Sequence, residues 1–200
     1  IQFGMGKVVR VTDNPVNGEI SLADLPQTRK RLIEDKTIGL AVLSDLDDQV
    51  LIAPRSLGTG VVNDLKSRVE TFGSSLIRKN YSLQLIRFQD EDQRTLRSQV
   101  EAVVNALDEN EIVGSRGILV FPPQAQPDLH NYIKKKLRNR VQFQCMSAEK
   151  IAKFYGANGG QGNQRSIQPA PLGRFHSYLL NMIMGLMIVN RQWPWVLHQP

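Results

Sequence analysis

The chain has 200 residues, 41% of them apolar and 22% charged, which excludes intrinsic disorder and allows one sizeable domain with an arm to spare. A formal net charge of +6 and a pI near 9.6 favour an anionic partner, nucleic acid being the commonest for a basic domain. The one cysteine, Cys145, excludes a disulfide within the chain and suits a reducing compartment, the cytoplasm.

In chain order, residues 1–36 carry Gly4, Gly6, Pro15, Gly18 and Pro26 among short apolar stretches. Val8, Val9 and Val11 suit a short strand. Asp13-Asn14-Pro15 and Asn17-Gly18 suit turns, and Arg29-Lys30-Arg31 a solvated charge run. This part reads as an arm leading into a domain over 37–192. Thr37–Ser44 predicts the first strand, closed by Asp45, Asp47 and Asp48. Val61, Leu65, Val69, Phe72 and Leu76 recur at spacings of three and four, which predicts a helix over 61–77. Tyr81–Phe88 predicts a strand and 92–107 a helix, with Leu96, Val100, Val103, Val104 and Leu107 on one face. Gly117–Phe121 predicts a third strand, stopped by Pro122-Pro123. A short basic helix follows over 127–138, with Asp128 near its start.

Val141–Met146 predicts a fourth strand, Ala148–Phe154 a helix and Gly156–Asn163 a loop. Pro171–Val189 predicts a long apolar helix with proline in its first turn. Its apolar run Leu179–Val189, broken by Asn181, is too short to span a bilayer, so no membrane contact is expected. Strand and helix alternate with short connections. The expected fold is α/β: a Rossmann-like parallel sheet of about four strands with helices on both faces, preceded by an extended arm. Such sheets bind ligands beyond the carboxyl ends of their strands, which directs attention to the end of Gly117–Phe121.

The stretch that follows, residues 129–145, reads LHNYIKKKLRNRVQFQC. Residues four apart share a helix face, so His130 lies over Lys134 and Tyr132 over Lys136. An aromatic or imidazole donor one turn before an ammonium makes a compact phosphate cradle, and Gln144 on the next strand can add an amide. The competing interpretation is a solvated basic helix with Lys134, Lys135, Lys136, Arg138 and Arg140 in water. His130, His176 and His198 are too widely spaced to suggest a metal site, and no glycine-rich phosphate loop follows a strand.

The order strand–proline, His130-Asn131-Tyr132-Ile133-Lys134, then Val141-Gln142-Phe143-Gln144-Cys145 resembles the MID domain of prokaryotic-type Argonaute/PIWI proteins. Ile1–Gly6 with Asn14–Ile20 is similar to the segment leading into MID. Leu180–Leu197 is similar to the helix and Pro-Trp strand where MID passes into PIWI. The chain opens on Ile1 and stops soon after Trp193-Pro194-Trp195, as a piece of a longer protein would.

The resemblance implies binding of the 5′-phosphorylated end of a guide RNA or DNA, in host defence, with no catalysis by this chain. Residues 193–200 would begin the PIWI domain, the expected intramolecular partner and the home of any nuclease activity. His130, Lys134 and Gln144 form the preferred phosphate set, and Tyr132 with Lys136 the alternative register. Tyr132 or Tyr155 would stack on the first base. The sequence departs from the family on the late helix, where Gly185 and Val189 stand in place of lysines. Arg174, Lys150 or a divalent cation is left to compensate; that cation is the one cofactor the resemblance allows. The rival function is a flavodoxin-like small-molecule or regulatory module with an incidental basic surface.

Overall fold

The computed structural model describes residues 48–77, 79–155 and 172–190, with short stretches at 2–3, 41–42, 192–193 and 195–196 and parts of 12–27. In chain order the elements begin with two short strands, β1 (Gln2–Phe3) and β2 (Ala41–Val42). Then come β3 (Gln49–Pro54), α1 (Thr59–Ile77), β4 (Gln84–Phe88), α2 (Leu96–Glu109) and β5 (Ser115–Phe121). The chain continues through α3 (Leu129–Leu137), β6 (Val141–Ser147), α4 (Ala148–Tyr155) and α5 (Leu172–Val189), and closes on β7 (Gln192–Trp193) and β8 (Trp195–Val196).

Four strands form an all-parallel sheet in the order β4-β3-β5-β6, so the fold is α/β and Rossmann-like. The first strand of that sheet is β3, not the expected Thr37–Ser44. All six residues of β3 are buried, the mark of an inner parallel strand covered on both faces. The acidic cluster thus precedes the strand instead of closing one, and the Asp48 carbonyl accepts a hydrogen bond from the Arg116 amide. Of the expected strand only Ala41–Val42 is described, and it pairs antiparallel with Gln192–Trp193 outside the main sheet. In the same way Gln2–Phe3 pairs with Trp195–Val196, so the amino-terminal arm meets the tail.

Helices cover both faces. Leu51, Ala53, Ile118, Val120 and Met146 pack with Leu65 and Val69 of α1, Ile151 of α4 and Ile183 of α5. On the opposite face Val50, Ile52, Leu119 and Phe143 pack with Val103 and Leu107 of α2 and with Leu129 and Ile133 of α3. Each fully buried aliphatic side chain contributes about 1.5–3 kcal/mol, so these two layers dominate stability. Helix α2 starts at Leu96 instead of the expected 92, because Asp92 has φ 66° and Thr95 forms the cap with Ser98.

Two contacts fix the parts that matter for the site. Gly117 lies so close to β3 that a Cβ would stand 1.9 Å from the Val50 carbonyl oxygen; only glycine fits. One residue earlier on β3, buried Gln49 and Asn190 exchange amide hydrogen bonds of 2.6 and 3.0 Å, and the Tyr81 hydroxyl donates to Gln49 Oε1. Arg116 Nη1 donates to the Val189 carbonyl. These bonds tie the carboxyl end of α5 to the amino ends of β3 and β5, so α5 runs antiparallel to the strands.

Candidate functional site

Strand β6 closes the four-stranded sheet and pairs with β5 along one side only. Its alternation sends Val141, Phe143 and Cys145 to the α2/α3 face and Met146 to the α5 face. Gln144 also faces α5, where its side chain fills the space that Gly185 leaves. A Cβ at position 185 would meet Gln144 Cδ at 2.8 Å and the amide Nε2 and Oε1 at 2.9 Å. Gln144 sits mid-strand and is half-buried.

Helix α3 buries Leu129, Ile133 and Leu137, a single stripe at i, i+4, i+8. His130 and Lys134 lie on one flank of that stripe, Tyr132 and Lys136 on the other. The two expected registers therefore face different ways. Burial pushes the Cys145 thiol up to about 11, and the Lys134 ammonium pulls it back down. His130 packs edge-on against Phe121 at the end of β5, with ring centroids 6.0 Å apart and an interplanar angle of 79°. Asp128 occupies the N-cap position of α3 but makes no side-chain cap hydrogen bond, contrary to the role expected for it.

The remaining expected residues are distributed as follows. Lys134, Lys135, Lys136 and Arg138 are all exposed, so much of the basic helix is a solvated face. Arg140 is engaged elsewhere, its Nε donating to the Ile112 carbonyl at 2.6 Å and its Nη1 pairing with Asp108. Tyr132 is 57% exposed, on the flank away from His130. Tyr155 does not supply a stacking surface: it is buried, and its hydroxyl donates to Asp64 Oδ2 at 2.6 Å. Arg174 and His176 fall in the first turns of α5 with their side chains outside the described residues, and His198 and the loop Gly156–Asn163 lie outside the described residues altogether. Among the described residues no three His, Cys, Asp or Glu side chains gather as a metal site.

Tyr178, which sequence reasoning overlooked, stands on α5 two turns before Gly185. It is half-buried, its ring centroid lies 6.0 Å from Lys150 Nζ, and burial pushes its hydroxyl pKa up. The i, i+7 spacing from Gly185 is the signal that could have found it.

No protein-family model matches the chain, and no curated protein is significantly similar to it. The functional reading therefore stands on residues and geometry.

Two cavities lie elsewhere, toward the carboxyl ends of β3, β4 and β5. One, of about 310 Å³, is lined by Ser56, Asp90, Glu91, Asp92, Arg94 and Pro122 among others. The second, of about 430 Å³, is lined by Arg55, Arg87, Gln89, Glu101 and Glu109 among others. Gln99, buried beside the first, donates to the Gln93 and Gln124 carbonyls and accepts from the Gln126 amide. It clamps the loop between β5 and α3 and so sets where the helix that carries His130 begins. No described helix is long and apolar enough to cross a membrane.

Proposed function

We propose that the chain is the MID domain of an Argonaute/PIWI-type protein and holds the 5′-phosphorylated end of a guide strand, RNA or DNA. The observation that carries this reading is the seating of Gln144 on Gly185 at an edge strand whose other face packs on α3, the helix of His130 and Lys134. Phosphate oxygens would accept from Lys134 Nζ, from the Gln144 amide and from a ring N–H of His130. An ammonium on a phosphate makes a charge-assisted hydrogen bond, roughly twice as strong as a neutral one. An open sheet edge admits the end of a polymer, whereas an enclosed cavity suits a small molecule.

The role is recognition of a strand end. The guide, anchored by its first phosphate, pairs with a target, as in prokaryotic host defence. Bond cleavage would belong to a PIWI domain alongside this chain. The +6 charge supplies a general attraction to the rest of the strand. The test compares binding of one oligonucleotide with a 5′-phosphate and with a 5′-hydroxyl. The phosphorylated strand should bind about tenfold or more tightly, and Lys134→Ala should remove the difference.

The 310 Å³ cavity favours a second reading, a small-molecule module of flavodoxin type. Its wall sets Asp90, Glu91 and Asp92 against Arg94, which repels a phosphate-bearing cofactor. A thermal shift with flavin mononucleotide, and none with a 5′-phosphorylated oligonucleotide, would select that reading.

A further inference from the structure

On the phosphate-binding reading the cradle has a charge deficit. A phosphate monoester carries about −1.5 to −2 at pH 7, and Lys134 supplies one positive charge. Helix α5 carries no lysine, and the two positions where the family pattern has one, Gly185 and Val189, are neutral.

The antiparallel run of α5 determines what stands above Gly185. Asn190 is level with the start of the sheet. At about 1.5 Å per helical residue and 3.3 Å per strand residue, Gly185 comes level with Gln144 and Tyr178 with Ser147. The contact between Gly185 and Gln144 agrees with this level. Helix α4 starts at Ala148, directly after β6, so its first turn brings Lys150 to the same level. Lys150 Nζ lies 6.0 Å from the Tyr178 ring centroid. The ring is braced from behind by Phe154, with centroids 5.4 Å apart, and Phe154 by Phe175 at 5.0 Å.

We propose that Tyr178 and Lys150 form the second wall of the cradle, gripping the terminal phosphate across the free edge of β6 from Lys134 and His130. Tyr178 donates its hydroxyl proton to a phosphate oxygen, and Lys150 supplies a second positive charge. The aromatic brace holds the hydroxyl in place, and the cation on the ring face is poised to move onto the anion. Lys150 thus puts a positive charge on α4 next to the α5 face that carries Tyr178. The ligand class is a terminal phosphate monoester.

The test uses the whole chain and a fluorescent single-stranded oligonucleotide with either a 5′-phosphate or a 5′-hydroxyl. Lys150→Ala should weaken binding of the phosphorylated strand roughly tenfold, and Tyr178→Phe several-fold, with the hydroxyl-ended strand unchanged in both. Lys150→Arg should restore most of the preference. Lys134→Ala serves as the internal standard. Should Lys134→Ala abolish the preference while Lys150→Ala and Tyr178→Phe keep it, the second wall is refuted and the phosphate reading stands. Should the parent chain bind both strands equally, the phosphate reading fails and this inference with it. Tyr178→Phe keeps the packed ring, so a change in its binding cannot be ascribed to misfolding.

Discussion

Gln144 and Gly185 are shaped to each other: the carboxamide of one occupies the volume where a side chain of the other would begin, 2.8 Å from a Cβ at position 185. A glycine inside an 18-residue helix costs about 1 kcal/mol relative to alanine, so its presence favours the seating of Gln144 over helix stability. That trade suits a residue placed for binding.

Gly185→Ala should therefore separate stability from function. The helix gains about 1 kcal/mol, and the flexible end of Gln144 swings away at a cost of about the same size. The melting temperature should hold or rise slightly while the preference for a 5′-phosphate falls several-fold. A large drop in melting temperature would mean that the contact is structural.

Gly117→Ala should behave in the opposite way. A Cβ there meets the backbone of Val50, which cannot give way without breaking the pairing of β5 with β3. The expected loss is about 3 kcal/mol, measurable as a lower midpoint in urea denaturation.

The contrast between these two glycines shows what the sequence could and could not reveal. The alternation of strands and helices from Tyr81 to Val189 was legible, because apolar period and turn residues report burial directly. The first strand was misplaced, because Thr37–Ser44 and Gln49–Pro54 are both apolar runs beside the same aspartates. Only the parallel register with Gly117 and Leu85 distinguishes them. In the site, the i, i+4 pairs on α3 were legible, but their facing was not. Which flank meets β6 depends on how Leu129, Ile133 and Leu137 pack. Tyr178 escaped because its role follows from the direction of α5, and that is set by Gln49 and Asn190, 141 positions apart.

Asn190→Ala should accordingly cost about 2 kcal/mol, since it removes both bonds with buried Gln49 and the bond to the Leu186 carbonyl. Because these bonds set the height of α5 against the sheet, the phosphate preference should weaken too. Chemical denaturation and strand binding measured on the same preparation check both effects.

Cys145 gives a pH-dependent readout of where Lys134 lies. Burial raises the thiol from its ordinary 9.0 to about 11, so at pH 8 its thiolate fraction, and its alkylation rate, should fall about a hundredfold below a free thiol. Lys134→Ala removes the ammonium that holds the thiol down, so alkylation should slow further. The folded value exceeds the unfolded one. The stabilising contribution is therefore complete below about pH 9 and is lost as pH rises toward 11, a slope that Cys145→Ala should lack. An alkylation rate unchanged by Lys134→Ala would put that lysine out of reach of β6.

The most direct measurement is the ratio of affinities for a 5′-phosphorylated and a 5′-hydroxyl strand of one sequence, taken for the parent chain and for Lys134→Ala. A ratio of about ten or more in the parent, falling to near one in the variant, is the predicted result. A parent chain that binds both ends equally would contradict the assignment of a phosphate cradle to the edge of β6.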